Sequence, residues 1–193
     1  MARTYSTMLA LGTPMPGFTL PDGEGRPHTL ADLAGNRGLL VAFICNHCPY
    51  VKHINPVLAP LGAQLAEVGV GMVAISSNDV ENYPDDAPLL MARHAAEQRY
   101  TFPYLYDETQ DAAKAFGAAC TPDFYLFDAQ LKLVYRGQFD TSRPNLGVPT
   151  GQDIQRAVSA LVDGKPPLAE QIPSMGCNIK WKAGNEPDYF QLH

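Results

Sequence analysis

An unbroken apolar run and a second run with serine as its last residue stand out in the pattern of hydrophobic and polar positions along the chain. They span residues 38–44 and 70–76, and a glycine opens the first run and directly precedes the second. Runs of this length without alternation are typical of strands that are buried on both faces of a sheet. We therefore predict two central strands in one sheet.

A long helical pattern follows the first run and contains three prolines. Pro49 suits the first turn of a helix over residues 49–67, because the missing N–H of proline has no helical partner there. Pro56 and Pro60 lie inside the same helix, where a proline removes a backbone hydrogen bond and clashes with the preceding turn. We therefore expect a kink or a break in this helix.

Later in the chain, helical and strand patterns continue to alternate. Asp86 is expected to cap one helix, and Thr150 with Asp153 resembles a capping box at the start of another. The elements predicted here are helices over residues 87–99, 110–116 and 150–162, a strand over residues 104–106, and a hairpin of strands 124–127 and 131–135.

The order of these elements defines the predicted fold class. Residues 18–30 match two short strands around an Asp-Gly turn, which predicts an N-terminal β-hairpin. Strands that alternate with helices and end in a hairpin indicate an α/β protein with three layers, in which helices cover both faces of a mixed central sheet. We predict one domain over residues 1–167 and a C-terminal tail over residues 168–193 that packs on it.

Composition and charge narrow the possible partners. The 193 residues are 46% apolar and 18% charged, which is typical of a globular domain with its own core. The net charge of −6 comes without a cluster of Lys and Arg, which argues against a nucleic-acid partner. No stretch approaches the roughly 20 apolar residues of a transmembrane helix, and the N-terminal apolar run is too short for a secretory signal. We therefore expect a cytoplasmic protein without a membrane partner.

The strongest chemical signal is a pair of cysteines, Cys45 and Cys48, between the first buried strand and the long helix. A thiol at a helix N-terminus is stabilised in its ionised form by unpaired N–H groups and by the helix dipole. A second thiol two residues further on can form a disulfide with it, and thiolate attack is the step that exchanges disulfides. This context predicts a redox-active pair in which the helix tip ionises Cys45.

His47 lies between the two cysteines, where an imidazolium would stabilise a thiolate and make the couple more oxidising. The competing interpretation of His47 is an exposed histidine without a role. The competing interpretations of the cysteine pair are a chance pair and half of a zinc site. Zinc normally takes four ligands, often in paired spacings. Further ligands would have to come from His53, Cys120 or Cys177, and none of these shows paired spacing. The sequence predicts no metal and no other cofactor, although a metal-binding module without catalytic activity stays an alternative.

Thr121 and Pro122 precede the first strand of the predicted hairpin. X–Pro is the peptide bond at which the cis form is accessible, although most X–Pro bonds are trans. A cis Pro122 facing the cysteines would leave the backbone of Thr121 available to an extended substrate segment. The alternative is a trans proline that ends a loop.

Together, the cysteine pair after a strand, the Thr121-Pro122 dipeptide before a hairpin and the order of elements resemble the thioredoxin-like superfamily. The segment of residues 12–20 is similar to the start of the peroxiredoxin-like, or AhpC/TSA, branch of that superfamily. Residues 43–52 and 174–181 resemble a bacterial subgroup described as thiol–disulfide isomerase or thioredoxin-like.

The resemblance carries several implications. It implies a thioredoxin-like fold, a cis bond at Pro122, Cys45 as the exposed nucleophile and Cys48 as the resolving thiol. The activity implied is exchange of disulfides with protein or small-molecule thiols. The sequence leaves the oligomeric state open, and a homodimer is compatible with it.

A departure from the common peroxiredoxin pattern supplies an alternative activity. Cys48 is followed by proline, as a peroxidatic cysteine is in that branch, and Cys45 stands where Thr or Ser is usual. Cys48 would then reduce peroxides, with Cys45 as the resolving thiol. That reaction needs a nearby arginine, and Arg136 and Arg143 are the candidates. Cys177, in the tail, is either an additional resolving thiol or a packed structural residue.

Overall fold

The computed structural model describes residues 3–190 as ten strands and five α-helices. The predicted domain and tail also include residues 1, 2 and 191–193, which lie outside the described residues. In chain order the elements are β1 (Arg3–Tyr5), β2 (Thr19–Pro21), β3 (Pro27–Thr29), α1 (Leu30–Leu33), β4 (Gly38–Phe43), α2 (Pro49–Glu67), β5 (Val70–Ser76), α3 (Pro88–Glu97), β6 (Tyr104–Tyr106), α4 (Asp111–Phe116), β7 (Cys120–Thr121), β8 (Asp123–Asp128), β9 (Leu133–Gly137), α5 (Gln152–Val162) and β10 (Met175–Asn178).

A five-stranded mixed sheet forms the centre, with the strand order β6-β5-β4-β8-β9. Strands β4, β5 and β6 are parallel, whereas β8 runs antiparallel to both β4 and β9. All six residues of β4 are buried, because this strand has a neighbour on either side and helices over both faces. The two apolar runs thus form adjacent central strands, as predicted.

Helices cover both faces of this sheet. On one face, Leu58 of α2 and Ile154 of α5 pack in a cluster with Leu40 of β4. On the other face, Leu33 of α1 and Phe116 of α4 belong to a second cluster. Together with the antiparallel hairpin of β2 and β3, this arrangement confirms the predicted three-layer α/β fold with an N-terminal hairpin.

The expected break in the long helix does not occur, because α2 is continuous from Pro49 to Glu67. Pro56 and Pro60 are both exposed, so the missing backbone hydrogen bonds and the proline rings fall on the solvent side. The opposite side of the helix buries Leu58, Leu61 and neighbouring apolar residues against the sheet. This packing holds the helix together despite the two prolines.

Two predicted helix caps are also wrong. The N-cap of α3 is Ala87, while Asp86 is fully buried and bonded elsewhere. The N-cap of α5 is Gly151, whose φ of +69° suits glycine. Asp153 does not complete a capping box with Thr150; its carboxylate accepts a hydrogen bond from the side chain of Gln138 instead.

The tail is more regular than the sequence pattern indicates. Its strand β10 is the middle strand of a separate three-stranded sheet, between β1 and β7. Both pairings are antiparallel, and Cys177 lies opposite Arg3 on one side and Thr121 on the other. The tail therefore brings a cysteine and the N-terminal strand to the segment that contains Thr121.

None of the helices in residues 3–190 combines the length and the apolar character that crossing a bilayer requires.

Replacing Phe116 with alanine tests the second core cluster. The ring is fully buried and lies 5.4 Å from the ring of Phe43 and 5.6 Å from that of Tyr125, measured between centroids. We expect Phe116→Ala to lower the free energy of unfolding by about 3–5 kcal/mol in urea titrations, because it leaves a cavity. The control is Leu89→Ala, since Leu89 is 77% exposed. A loss as small as that of the control would contradict this packing.

Candidate active site

Cys48 occupies the N-cap of α2, and Pro49 is the first residue of that helix. The loop of Ile44 to His47 connects it to the end of β4. The first N–H groups of a helix have no helical acceptor, and the backbone N–H of Val51 helps to lower the pKa of Cys48. The sequence predicts Cys45 at the helix tip. The helix begins one turn later, so Cys48 occupies that position.

The two thiols of the pair lie in one buried cluster. Cys45 and Cys48 interact, so that each shifts the pKa of the other, and they are not linked as a disulfide. The Cys45 sulfur also lies 3.5 Å from the Thr121 hydroxyl. Cys45 is 1% exposed and Cys48 is 0% exposed. The expectation of an exposed Cys45 nucleophile is therefore wrong for this conformation, although the proximity that disulfide formation requires is present.

The pKa values of the two thiols are shifted in opposite directions. Interactions with the thiols of Cys177 and Cys45 lower the pKa of Cys48, and the Val51 N–H acts in the same direction. The pKa of Cys45 is raised well above its usual value by its interaction with Cys48 and by burial. These shifts favour ionisation of Cys48, in contrast to the predicted ionisation of Cys45.

The bond between Thr121 and Pro122 is cis, as the resemblance implies. The Thr121 carbonyl oxygen lies 3.2 Å from the Cys48 sulfur and accepts its proton when Cys48 is neutral. The backbone edge of Thr121 is not available to a substrate, however. Strand β10 pairs with it, and Cys177 lies directly opposite. The predicted role of Thr121 and Pro122 in substrate binding therefore requires β10 to move.

His47 is paired with a carboxylate that sequence reasoning missed. Its Nδ1 lies 2.7 Å from Oδ2 of Asp86, whose side chain is completely buried. The same carboxylate accepts hydrogen bonds from the backbone N–H of Asn46 at 2.7 Å and from the side chain of Asn78 at 2.8 Å. The hydrogen bond to Asp86 raises the pKa of His47, while partial burial opposes this effect. The sequence predicts a helix cap at Asp86, because nothing in its local sequence connects it to a histidine 39 residues away.

Cys45, His47 and Asp86 also form a potential metal site. One donor atom from each lies within 4.8 Å of the others, and a thiolate, an imidazole and a carboxylate are all ligands that zinc accepts. Of the ligands considered from the sequence, His53 is bonded to the Ser142 hydroxyl instead, at 2.9 Å.

Neither arginine considered for peroxide chemistry is bonded to the cysteines in the described residues. Arg136 donates to the carbonyl of Leu9 at 2.8 Å and to the side chain of Gln171 at 2.7 Å. Arg143 donates to the Gln138 side chain and to two backbone carbonyls of its own loop. It borders a small cleft that also includes Pro122. Both guanidinium groups therefore have structural partners.

The family model described as AhpC/TSA matches residues 11–136. The chain belongs to the AhpC/TSA family. This confirms the resemblance drawn from the cysteine pair and the N-terminal segment.

Individual relatives agree with this assignment. The thiol-disulfide oxidoreductase ResA of Geobacillus thermodenitrificans is 28% identical over 137 residues, which cover 67% of this chain and 70% of ResA. A crystal structure of a conserved protein from Geobacillus kaustophilus is 50% identical and has a TM-score of 0.91, covering 94% of this chain and 97% of the other. The thioredoxin domain of a thiol-disulfide oxidoreductase from Bacteroides vulgatus, at 20% identity and a TM-score of 0.60, covers 80% of this chain and 99% of its own. It confirms the thioredoxin-like fold.

Substituting Asp86 tests the electrostatics of the site. We expect Asp86→Asn to lower the pKa of His47 in an NMR titration, because the variant keeps the shape of the carboxylate but removes its charge. Since His47 has a raised pKa in the folded state, its pairing stabilises the fold below the unfolded pKa of about 6.5 and is lost as the pH rises through the folded pKa. The Asp86→Asn variant should lack this component of the pH dependence of its free energy of unfolding.

Asp85→Asn is the matched control, because Asp85 is exposed and binds Asn46 only through its backbone carbonyl. An unchanged His47 pKa in Asp86→Asn, or an equal decrease in the control, would contradict the pairing.

Proposed function

We propose that the protein is a thiol–disulfide oxidoreductase that reacts through Cys45 and Cys48. The observation that carries this proposal is the position of both sulfurs against Thr121, at 3.5 Å for Cys45 and 3.2 Å for Cys48, beside the cis bond of Pro122 and the N-terminus of α2. Two residues separate the cysteines, so their disulfide closes a small ring without rearranging the helix. The name of the ResA relative supports the same activity.

The low pKa of Cys48 sets the order of the steps. The Cys48 thiolate attacks one sulfur of a substrate disulfide, the substrate S–S bond breaks, and the leaving thiolate takes up a proton. The Cys45 sulfur, losing its proton, then attacks Cys48. A Cys45–Cys48 disulfide forms and the second substrate thiol is released with that proton. The substrate gains two electrons and the pair loses two, and the reverse sequence oxidises a dithiol.

His47 acts as a positioning residue and does not take part in bond making. Asp86 favours its cationic form, and the charge on Cys48 favours it further. An imidazolium beside Cys48 stabilises the thiolate, which stabilises the reduced pair and raises the reduction potential of the couple. We propose that the substrates are protein or small-molecule disulfides, and that the enzyme works in the cytoplasm.

A thiol peroxidase activity is the second candidate, and the lowered pKa of Cys48 favours it. The Cys48 thiolate would attack a peroxide oxygen and become a sulfenic acid as the O–O bond breaks. Cys45 would then form the disulfide and release water. This reaction also needs a cation at the leaving oxygen. The hydrogen bonds of Arg136 and Arg143 to other groups argue against it.

Replacing the attacking sulfur tests the proposed function. We expect Cys48→Ser to reduce insulin no faster than dithiothreitol alone does, because serine cannot carry the thiolate. In the oxidised wild-type protein we expect the disulfide inside the tryptic peptide of residues 38–52, which contains both cysteines.

The control is Cys120→Ala, since the buried Cys120 thiol bonds only weakly, at 3.8 Å, to the Pro122 carbonyl. Unchanged insulin reduction in Cys48→Ser would contradict the proposed oxidoreductase function. Saturable consumption of hydrogen peroxide by an enzyme that cannot reduce insulin would favour the peroxidase instead.

A further inference from the structure

A third thiol lies in the same buried cluster as the cysteine pair. Cys177 of strand β10 belongs to this cluster together with Cys45 and Cys48. It pairs with Thr121, whose carbonyl oxygen lies 3.2 Å from the Cys48 sulfur, and its interaction with Cys48 lowers the pKa of Cys48. Cys48 thus has thiol neighbours from two different parts of the chain.

The backbone of β10 fits closely against the cis-proline segment. Cys177 pairs with Thr121 in an antiparallel register. At the preceding residue, Gly176, an added Cβ atom would lie 2.0 Å from the Thr121 carbonyl oxygen and 3.2 Å from the Pro122 nitrogen. Only glycine allows β10 to approach this closely, and this approach places Cys177 in the buried cluster that contains Cys48.

Both ends of β10 are anchored, which fixes the position of Cys177. Before the strand, the Ser174 hydroxyl donates to the Gly137 carbonyl at 2.6 Å. After the strand, the backbone N–H of Lys180 donates to the Asn78 side chain at 2.8 Å, and the Gln110 side chain donates to the Lys180 carbonyl at 2.9 Å. The contact between Cys177 and Cys48 is therefore built into the fold.

Strand β10 lies where an extended substrate would bind. Peptides that add a strand to an exposed edge use its backbone groups for affinity, and β10 uses the edge of Thr121 in this way. It thereby presents a cysteine to Cys48 from the side on which a bound substrate would present one.

We propose that Cys177 is a second resolving thiol, which forms an internal disulfide with Cys48. The proposal rests on the proposed function, because it needs Cys48 to have attacked a disulfide. In the mixed disulfide between Cys48 and a substrate thiol, the Cys177 sulfur loses its proton and attacks Cys48. The Cys48–Cys177 bond forms, the bond to the substrate breaks, and the substrate thiolate takes up the proton. As in resolution by Cys45, the substrate disulfide gains two electrons and the two enzyme thiols lose two.

The two internal disulfides interconvert without any further reagent. Starting from the Cys45–Cys48 disulfide, Cys177 attacks Cys48, and Cys45 leaves as a thiolate that takes up the proton lost by Cys177. One bond between sulfurs forms and one breaks, so no net oxidation occurs. The oxidised enzyme accordingly has a form in which β10 is covalently attached to the active site.

Trapping in the absence of Cys45 tests this inference. The Cys45→Ser variant is treated with one equivalent of hydroxyethyl disulfide, and its products are identified by intact mass and tryptic mapping. We expect loss of two hydrogens and a link between the peptides of residues 38–52 and 157–180, which carry Cys48 and Cys177. The double variant Cys45→Ser, Cys177→Ser should instead retain one mercaptoethanol on Cys48. An adduct that persists equally in both variants would overturn the proposal.

A backbone variant tests the same contact with Cys177 still present. In the Cys45→Ser background, Gly176→Ala should displace β10, so that the mercaptoethanol adduct replaces the linked peptides. Gly17→Ala is the matched control, because a Cβ atom there meets nothing within 4 Å. A link that forms as fully in Gly176→Ala as in the control would contradict the role of β10.

The two proposals fail in different ways. One outcome is that the wild-type protein forms the disulfide inside residues 38–52 and reduces insulin, while Cys45→Ser gives only the adduct. In that case the inference about Cys177 is wrong and the proposed function is supported. If the reagent modifies Cys48 in none of the proteins, both are wrong.

Discussion

The sulfur of Cys48 at the N-terminus of α2 is the point on which the site depends. Three groups lower its pKa: the thiol of Cys177 in the tail, the thiol of Cys45 and the backbone N–H of Val51. In a buried environment of low dielectric constant, such interactions stabilise a charge more strongly than they do in water. The strand, helix and tail that surround the site are held so that these groups act on one atom.

The same convergence explains why the site is closed. A donor from the tail can reach Cys48 only if β10 lies against Thr121, and β10 then covers the edge that an extended substrate would use. Stabilisation of the thiolate and access for large substrates therefore oppose each other. Because Cys48 is 0% exposed, any substrate needs the site to open, and one that pairs with the backbone of Thr121 has to displace β10 and the Cys177 thiol with it.

The sequence predicts those features that depend on local patterns. The buried runs identify β4 and β5 because their whole lengths are apolar, and the cysteine spacing identifies the pair because both residues lie at one strand–helix junction. It does not reveal Asp86, whose partner His47 is distant in the chain, or β10, whose four residues show no alternation and gain their structure only from pairing. The prediction that Cys45 lies at the N-terminus of the helix is wrong for a local reason: the helix begins at Pro49, so Cys48 is the N-cap.

The missed carboxylate acts on two groups of the site. Its hydrogen bond raises the pKa of His47. Its negative charge adds to the two larger effects that raise the pKa of Cys45, which are the interaction with Cys48 and burial. The donor atoms of Cys45, His47 and Asp86 lie within 4.8 Å of one another, so the carboxylate opposes a negative charge on the nearest sulfur while it favours a positive charge on the imidazole. In the proposed reaction, this helps Cys45 to keep its proton until it attacks the mixed disulfide on Cys48.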